Sequence, residues 1–126
     1  MKGLYQYIGE SWKNQSKEAR IKRLVDWRRE DSITRIEKPT RIDKARALGY
    51  KAKQGYLVVR VKVLRGGRLR PKFKGGRRSR TMRRMKIVNL NYQTVAEQRA
   101  NKKYPNCEVL NSYFVGKDGR HYWFEI

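Results

Sequence analysis

Apolar positions recur every four residues at the start of the chain, at Leu4, Ile8 and Trp12, and Tyr5 and Tyr7 widen the stripe. That period predicts an amphipathic helix. A second helical stretch, roughly Glu18 to Arg29, carries Ile21, Leu24, Val25 and Trp27 among many Arg and Lys. The Asn-Gln-Ser run at 14–16 is a candidate interruption, and the pattern leaves open whether one helix or two forms. Trp12 and Trp27 read as core anchors.

In the next stretch, 38–56, Pro39 ends whatever precedes it. Thr40 followed three residues later by Asp43 has the form of a capping box, and Gly49 supplies a stop. Together they predict a short helix from about Arg41 to Leu48, projecting Arg41, Lys44 and Arg46. Lys51 and Lys53 continue the basic row into a loop closed by Gly55. Residues 56–64, YLVVRVKVL, are the clearest strand: Leu57, Val59, Val61 and Val63 alternate with Arg60 and Lys62. One face is core, and the other is basic, facing solvent or phosphate.

Periodicity then stops. Residues 65–86 hold 11 Lys or Arg, four Gly and no acid among 22 positions. Their large apolar groups, Leu69, Phe73, Met82 and Met85, bury too little surface to offset chain ordering, so the segment is expected to be disordered in isolation. Loops of this length are usually functional. A helix follows at 92–103, and strands at 109–115 and 120–126 flank the turn Gly116-Lys117-Asp118-Gly119. The sum is an α+β fold: a small mixed β-sheet packed with helices, plus a long Arg/Lys/Gly-rich extended basic loop that orders only on a partner. Its 126 residues allow one domain, with the basic loop at 65–86. The chain stops on Ile126 inside a predicted strand, from which a C-terminal truncation after 126 is expected.

Charge sharpens the picture. The chain has 33 Lys and Arg against 11 Asp and Glu, a net charge of +22. Residues 57–88 contribute 13 basic groups and no acid, more than half of that net charge. One-signed stretches of this kind are interaction surfaces, and a chain so charged calls for a polyanion. No apolar run approaches the ~20 residues that a membrane-spanning helix needs. Neither a secretory signal nor a partner for Cys107 is visible, and a reducing, cytoplasmic setting fits best.

Catalytic chemistry has little to work with. His121 alternates with aromatics on a predicted strand, and Cys107 has no second thiol to make a zinc site. The carboxylates of the first half (Glu10, Glu18, Asp26, Glu30, Asp31, Glu37, Asp43) show no metal-ligand spacing and read as partners for neighbouring Arg and Lys. Gly66-Gly67 and Gly75-Gly76 lack the ending of a nucleotide-binding loop. No enzyme, metal, cofactor or small-molecule substrate is expected. A Gly-spaced, Arg-rich segment on a small core instead suits phosphates, through counterion release and bidentate Arg contacts. Irregular RNA offers the cavities that such a segment fills on binding. The RNA-binding candidates are Thr40, Arg41, Lys44, Arg46, Lys51, Lys53, Gln54, Arg60 and Lys62, then Arg65, Arg68, Arg70, Lys72, Lys74, Arg77, Arg78, Arg80, Arg83, Arg84 and Lys86.

The stretch RIEKPTRIDKARALGYKAKQGYLVVRVKVLRGGR, residues 35–68, resembles the signature region of the archaeal and eukaryotic large-subunit ribosomal protein L15e family. YQYIGESWKNQS, VAEQRANKKY and VLNSYFVGKDGRHYWFEI fit the same pattern in order, and GGRRSR at 75–80 has an archaeal flavour. The resemblance implies a structural protein of the large ribosomal subunit, bound to large-subunit rRNA and to neighbouring large-subunit proteins, in the cytoplasm, with no membrane. It places the family's RNA-contacting motif on Pro39, Thr40, Arg41, Asp43, Lys44, Arg46, Gly49, Tyr50, Lys51, Lys53, Gln54 and Gly55. Members of that family continue for several dozen residues past the position of Ile126, into another basic region. The alternative is a free-standing RNA-binding or chaperone protein not stably held in the ribosome.

Overall fold

The β-branched run near residue 60 does form a strand, and the other elements are arranged around it. The computed structural model describes residues 1–67, 74–76 and 90–126. Among these, helices α1 (Leu4–Lys13) and α2 (Lys17–Arg29) precede strand β1 (Ile33–Ile36), and helix α3 (Ile42–Ala47) leads to strand β2 (Val58–Leu64). Helix α4 (Tyr92–Lys103) and the hairpin of β3 (Tyr113–Lys117) and β4 (His121–Glu125) follow. The break at Asn14 to Ser16 is real, because the Ser16 hydroxyl caps α2 by accepting from the Ala19 N–H at 3.2 Å.

The sheet order is β1-β2-β4-β3, and all three ladders are antiparallel. The fold is α+β as expected, but its sheet is not mixed. The connection from β2 through α4 to β3 returns parallel to β2. Because β4 folds back into the gap between them, each of these strands has an antiparallel neighbour.

Each face of the sheet carries its own apolar cluster. On one, Val59, Val61, Val63 and Phe124 pack against Ala96 and Ala100 of α4. On the other, Trp123 and Val115 pack against Leu24 and Trp27 of α2. The pleat of β2 therefore directs its valines toward α4, as alternation predicts. It directs Arg60 and Lys62 toward α2, so the basic face of this strand is covered by a helix rather than open to solvent or phosphate.

Two local expectations change. Strand β1 was not anticipated, since Ile33–Ile36 is only four residues long, and its residues gain their partners from β2. The hairpin turn lies later than expected, at Asp118 to Arg120, and residues 109–112 lie outside the strand. Gly116 is not a turn residue but part of β3, beside an irregularity in its register with β4. A Cβ there would sit 3.3 Å from both Leu24 Cδ2 and Trp27 Cζ3, so the glycine lets α2 approach the sheet. The turn is instead closed by the Asp118 carboxylate, which accepts from the backbone N–H groups of Arg120 and His121.

Candidate nucleic-acid interface

The basic motif of residues 39–55 is built on α3 and the loop after it. The capping box expected at Thr40 does not form: Arg41 occupies the N-cap position, without a side-chain cap bond. Thr40 is held from the core instead. Its N–H donates to Glu125 Oε2 at 3.0 Å, and its hydroxyl donates to Glu125 Oε1. Glu125 is fully buried, 0% exposed, and also accepts from the Tyr113 hydroxyl. Burial and the Glu125 carboxylate together push the Tyr113 phenol far above its ordinary value, so it stays a donor.

Arg41 turns inward toward Asp43 at 2.8 Å and lies over the Trp12 ring. Burial alone would raise the Asp43 carboxyl, but bonds from Arg41 and the Lys44 backbone hold it below the usual carboxylate range. Helix α1 approaches closely here, since a Cβ on Gly9 would lie 3.5 Å from Asp43 Oδ2. Outward from this base, Lys44, Arg46, Lys51, Lys53 and Gln54 are all exposed. Arg46 donates to the Tyr5 hydroxyl at 2.8 Å. Gly49 and Gly55, at φ of 103° and 90°, make the two reversals that fold the loop, a backbone conformation that side chains disfavour.

Two candidates are engaged within the fold. Arg60 is 9% exposed, 4.4 Å above the Trp27 ring, with Glu30 at 3.5 Å and Glu125 at 4.0 Å. The Lys62 ammonium donates to the Arg28 and Glu30 carbonyls at 3.1 and 2.8 Å, closing the C-terminal end of α2. Both side chains thus fasten α2 to the sheet. Arg65, at the end of β2, is exposed, donates to the Asp118 carbonyl and stacks 5.0 Å from the Tyr122 ring centroid. Lys74 is exposed. Arg68, Arg70, Lys72, Arg77, Arg78, Arg80, Arg83, Arg84 and Lys86 lie outside the described residues.

The structural hub of the motif, Glu125, was missed from the sequence. Its signal was present: in HYWFEI the glutamate shares a strand face with Trp123, and a carboxylate on a buried face requires donors. Among the described residues, no group of three or more His, Cys, Asp or Glu is placed to hold a metal ion. Nor is any described helix long and apolar enough to cross a membrane.

The protein-family model described as Ribosomal L15 matches residues 3–126. The chain belongs to the Ribosomal L15 family. Two archaeal proteins, each named "Large ribosomal subunit protein eL15", are similar along the whole chain. The one from Methanospirillum hungatei is 52% identical over 130 residues, covering 99% of this chain and 66% of its own length. The one from Methanocella arvoryzae is 49% identical over 131 residues, covering 100% of this chain and 67% of its own length. The chain thus spans about two thirds of the length of these relatives. The Ribosomal L15 match includes the exposed basic row of α3 and its loop, and the buried Thr40–Glu125 anchor beneath it.

Proposed function

We propose that this chain is a non-catalytic structural constituent of the large ribosomal subunit, binding and stabilising large-subunit rRNA during translation. The observation that carries the reading is the family match across residues 3–126, with about half of all positions identical to proteins named for that subunit. Its partners are then large-subunit rRNA and neighbouring large-subunit proteins, and its place is in the cytoplasm within the ribosome. Residues 1–126 act as one unit, with 65–86 as the RNA-binding loop.

The chemistry supports this division of labour. Lys44, Arg46, Lys51, Lys53, Gln54 and Arg65 meet phosphates from a surface that the core holds in place, and Lys74 does so from the basic loop. The loop residues Arg68, Arg70, Lys72, Arg77, Arg78, Arg80, Arg83, Arg84 and Lys86 extend that contact by fitting to irregular RNA. Binding is driven by release of counterions from the RNA. Thr40 serves mainly by fixing where α3 starts, and Arg41 adds its guanidinium at the base of the row. The reading is tested by sedimenting a cell lysate through a density gradient at high salt. Co-migration with the large subunit is expected. Release to the light fractions points to transient, exposed electrostatic binding and to the free-standing chaperone.

A further inference from the structure

A cleft of about 440 Å³ opens between α1, the first half of α2 and residues 40–41. Tyr7, Ser11, Trp12, Gln15, Arg23 and Arg41 line it, and among the described residues no carboxylate does. Guanidinium groups and indole rings alternate inward from it. Arg41 lies 5.4 Å from the Trp12 centroid, Arg23 lies 4.7 Å from Trp12 and 5.9 Å from Trp27, and Arg60 lies 4.4 Å from Trp27.

The ends of this series are neutralised, Arg41 by Asp43 and Arg60 by Glu30 and Glu125. Its middle is not. Among the described residues Arg23 has no carboxylate within ion-pair distance, and its hydrogen bond goes to the neutral Gln15 Oε1 at 2.8 Å. Burial and the nearby Arg60 charge both work against the Arg23 cation, and Glu125 offsets them only in part. Arg41 also keeps a buried Nε–H with no partner among the described residues. Two guanidinium groups held at one cleft, one of them without a counter-charge, make an anion site. The indoles fix their planes, as bidentate capture of a phosphate requires. At the rim Tyr7 is 57% exposed, and an exposed aromatic ring is a surface on which an unstacked base settles.

We propose that this cleft captures a single nucleotide of RNA, its phosphate between Arg23 and Arg41 and its base against Tyr7. Trp12 acts as a positioning residue that holds both guanidinium groups. This rests on the rRNA-binding reading above, and it adds Tyr7, Trp12 and Arg23 to a surface otherwise made of α3, its loop and the basic segment.

The test measures binding of the full chain to deproteinised large-subunit rRNA as a function of salt, for the unmodified protein, R23Q, R23K and Y7L. R23Q should flatten the slope of log affinity against log salt by about one unit. R23K keeps the charge and should restore the slope. Y7L should weaken binding about tenfold with the slope unchanged, because stacking displaces no counterions. Tyr7 is exposed, so Y7L decides the matter even if R23Q unfolds. Ultraviolet crosslinking of the unmodified chain to the same RNA should place an adduct on Tyr7. If the unmodified chain does not bind the RNA, the functional reading itself falls. If it binds, but Y7L and R23Q match it in affinity and slope, only the cleft proposal falls, and the cleft would suit an acidic segment of a neighbouring protein instead.

Discussion

Glu125 holds Thr40 by both its backbone N–H and its hydroxyl across 85 residues of sequence. The contact joins the central strand β4 to the residue from which the basic helix α3 departs. A buried carboxylate thereby sets the position of a positively charged surface that it never reaches. Tyr113 and Arg60 complete its surroundings, so its charge is shared by three hydrogen-bond donors and by the Arg60 guanidinium 4.0 Å away, on three segments of chain.

Replacing this carboxylate should be costly. E125Q leaves Arg60 short of a counter-charge and removes an acceptor from Thr40 or Tyr113. Breaking a buried ion pair from one side costs about 3–5 kcal/mol. Thr40→Val removes only the hydroxyl bond and should cost about 1–3 kcal/mol. Urea denaturation of the two variants, with the larger drop in midpoint for E125Q, checks the ranking.

Gly116→Ala should destabilise by about 1–3 kcal/mol, the usual range for overpacking a core contact. The added methyl meets Leu24 and Trp27, both on α2 and both buried. A lowered midpoint with an unchanged denaturant slope is the expected outcome. A neutral result would mean that α2 can withdraw from the sheet freely.

Acid should loosen the hairpin. Burial alone would raise the Asp118 carboxyl, but the Arg120 and His121 N–H groups and the His121 ring outweigh it, so its folded value lies below the ordinary 3.8. A group depressed on folding contributes stability above its unfolded value, and that stability is lost as pH falls through the folded one. Arg28, 3.0 Å away, loses its partner in the same window. Asp118→Asn should therefore lower stability at neutral pH and flatten the fall in stability below about pH 5. Thermal melts of both proteins from neutral pH to strong acid measure it.

Basic residues of the loop after α3 and of β2 should behave differently. Lys51→Ala with Lys53→Ala should reduce the salt slope of rRNA binding by up to about one unit per residue and leave the melting temperature nearly unchanged. Lys62→Ala should do the reverse, because its ammonium is spent on the end of α2. In the basic loop, joint replacement of Arg77, Arg78 and Arg80 by Ala should flatten the slope in the same way. An unchanged slope there would place those three residues in solvent.

Much of the fold was legible because it rests on local periodicity. The Val59, Val61 and Val63 alternation, the spacing within α1 and the Asp118-Gly119 turn each carry their meaning within a few residues. What escaped depends on partners distant in sequence. Arg60 and Lys62 alternate as a solvent-facing row would, and only the docking of α2 makes them internal. Thr40 and Asp43 have the spacing of a cap, yet a carboxylate from the far end of the chain outcompetes it. Gly116 reads as turn chemistry until the Trp27 ring is found against it. The exposed row of Lys44, Arg46, Lys51 and Lys53 was read correctly as exposed, because long cations seldom enter a core without a partner.

The insertion of β4 between β2 and β3 has a consequence for the order of assembly. β4 follows every other described element in the chain but sits inside the sheet, so the inner edge of β2 stays unpaired until residues 121–125 have been synthesised. Until then Arg60 lacks one of its two carboxylates, and Thr40 has nothing to hold it. The two halves of the sheet meet through contacts of long sequence separation, the kind that slows folding. The basic surface of α3 and its loop thus reaches its final shape only after synthesis has passed Glu125. A nascent chain halted earlier would present its positive charges without the geometry that aims them.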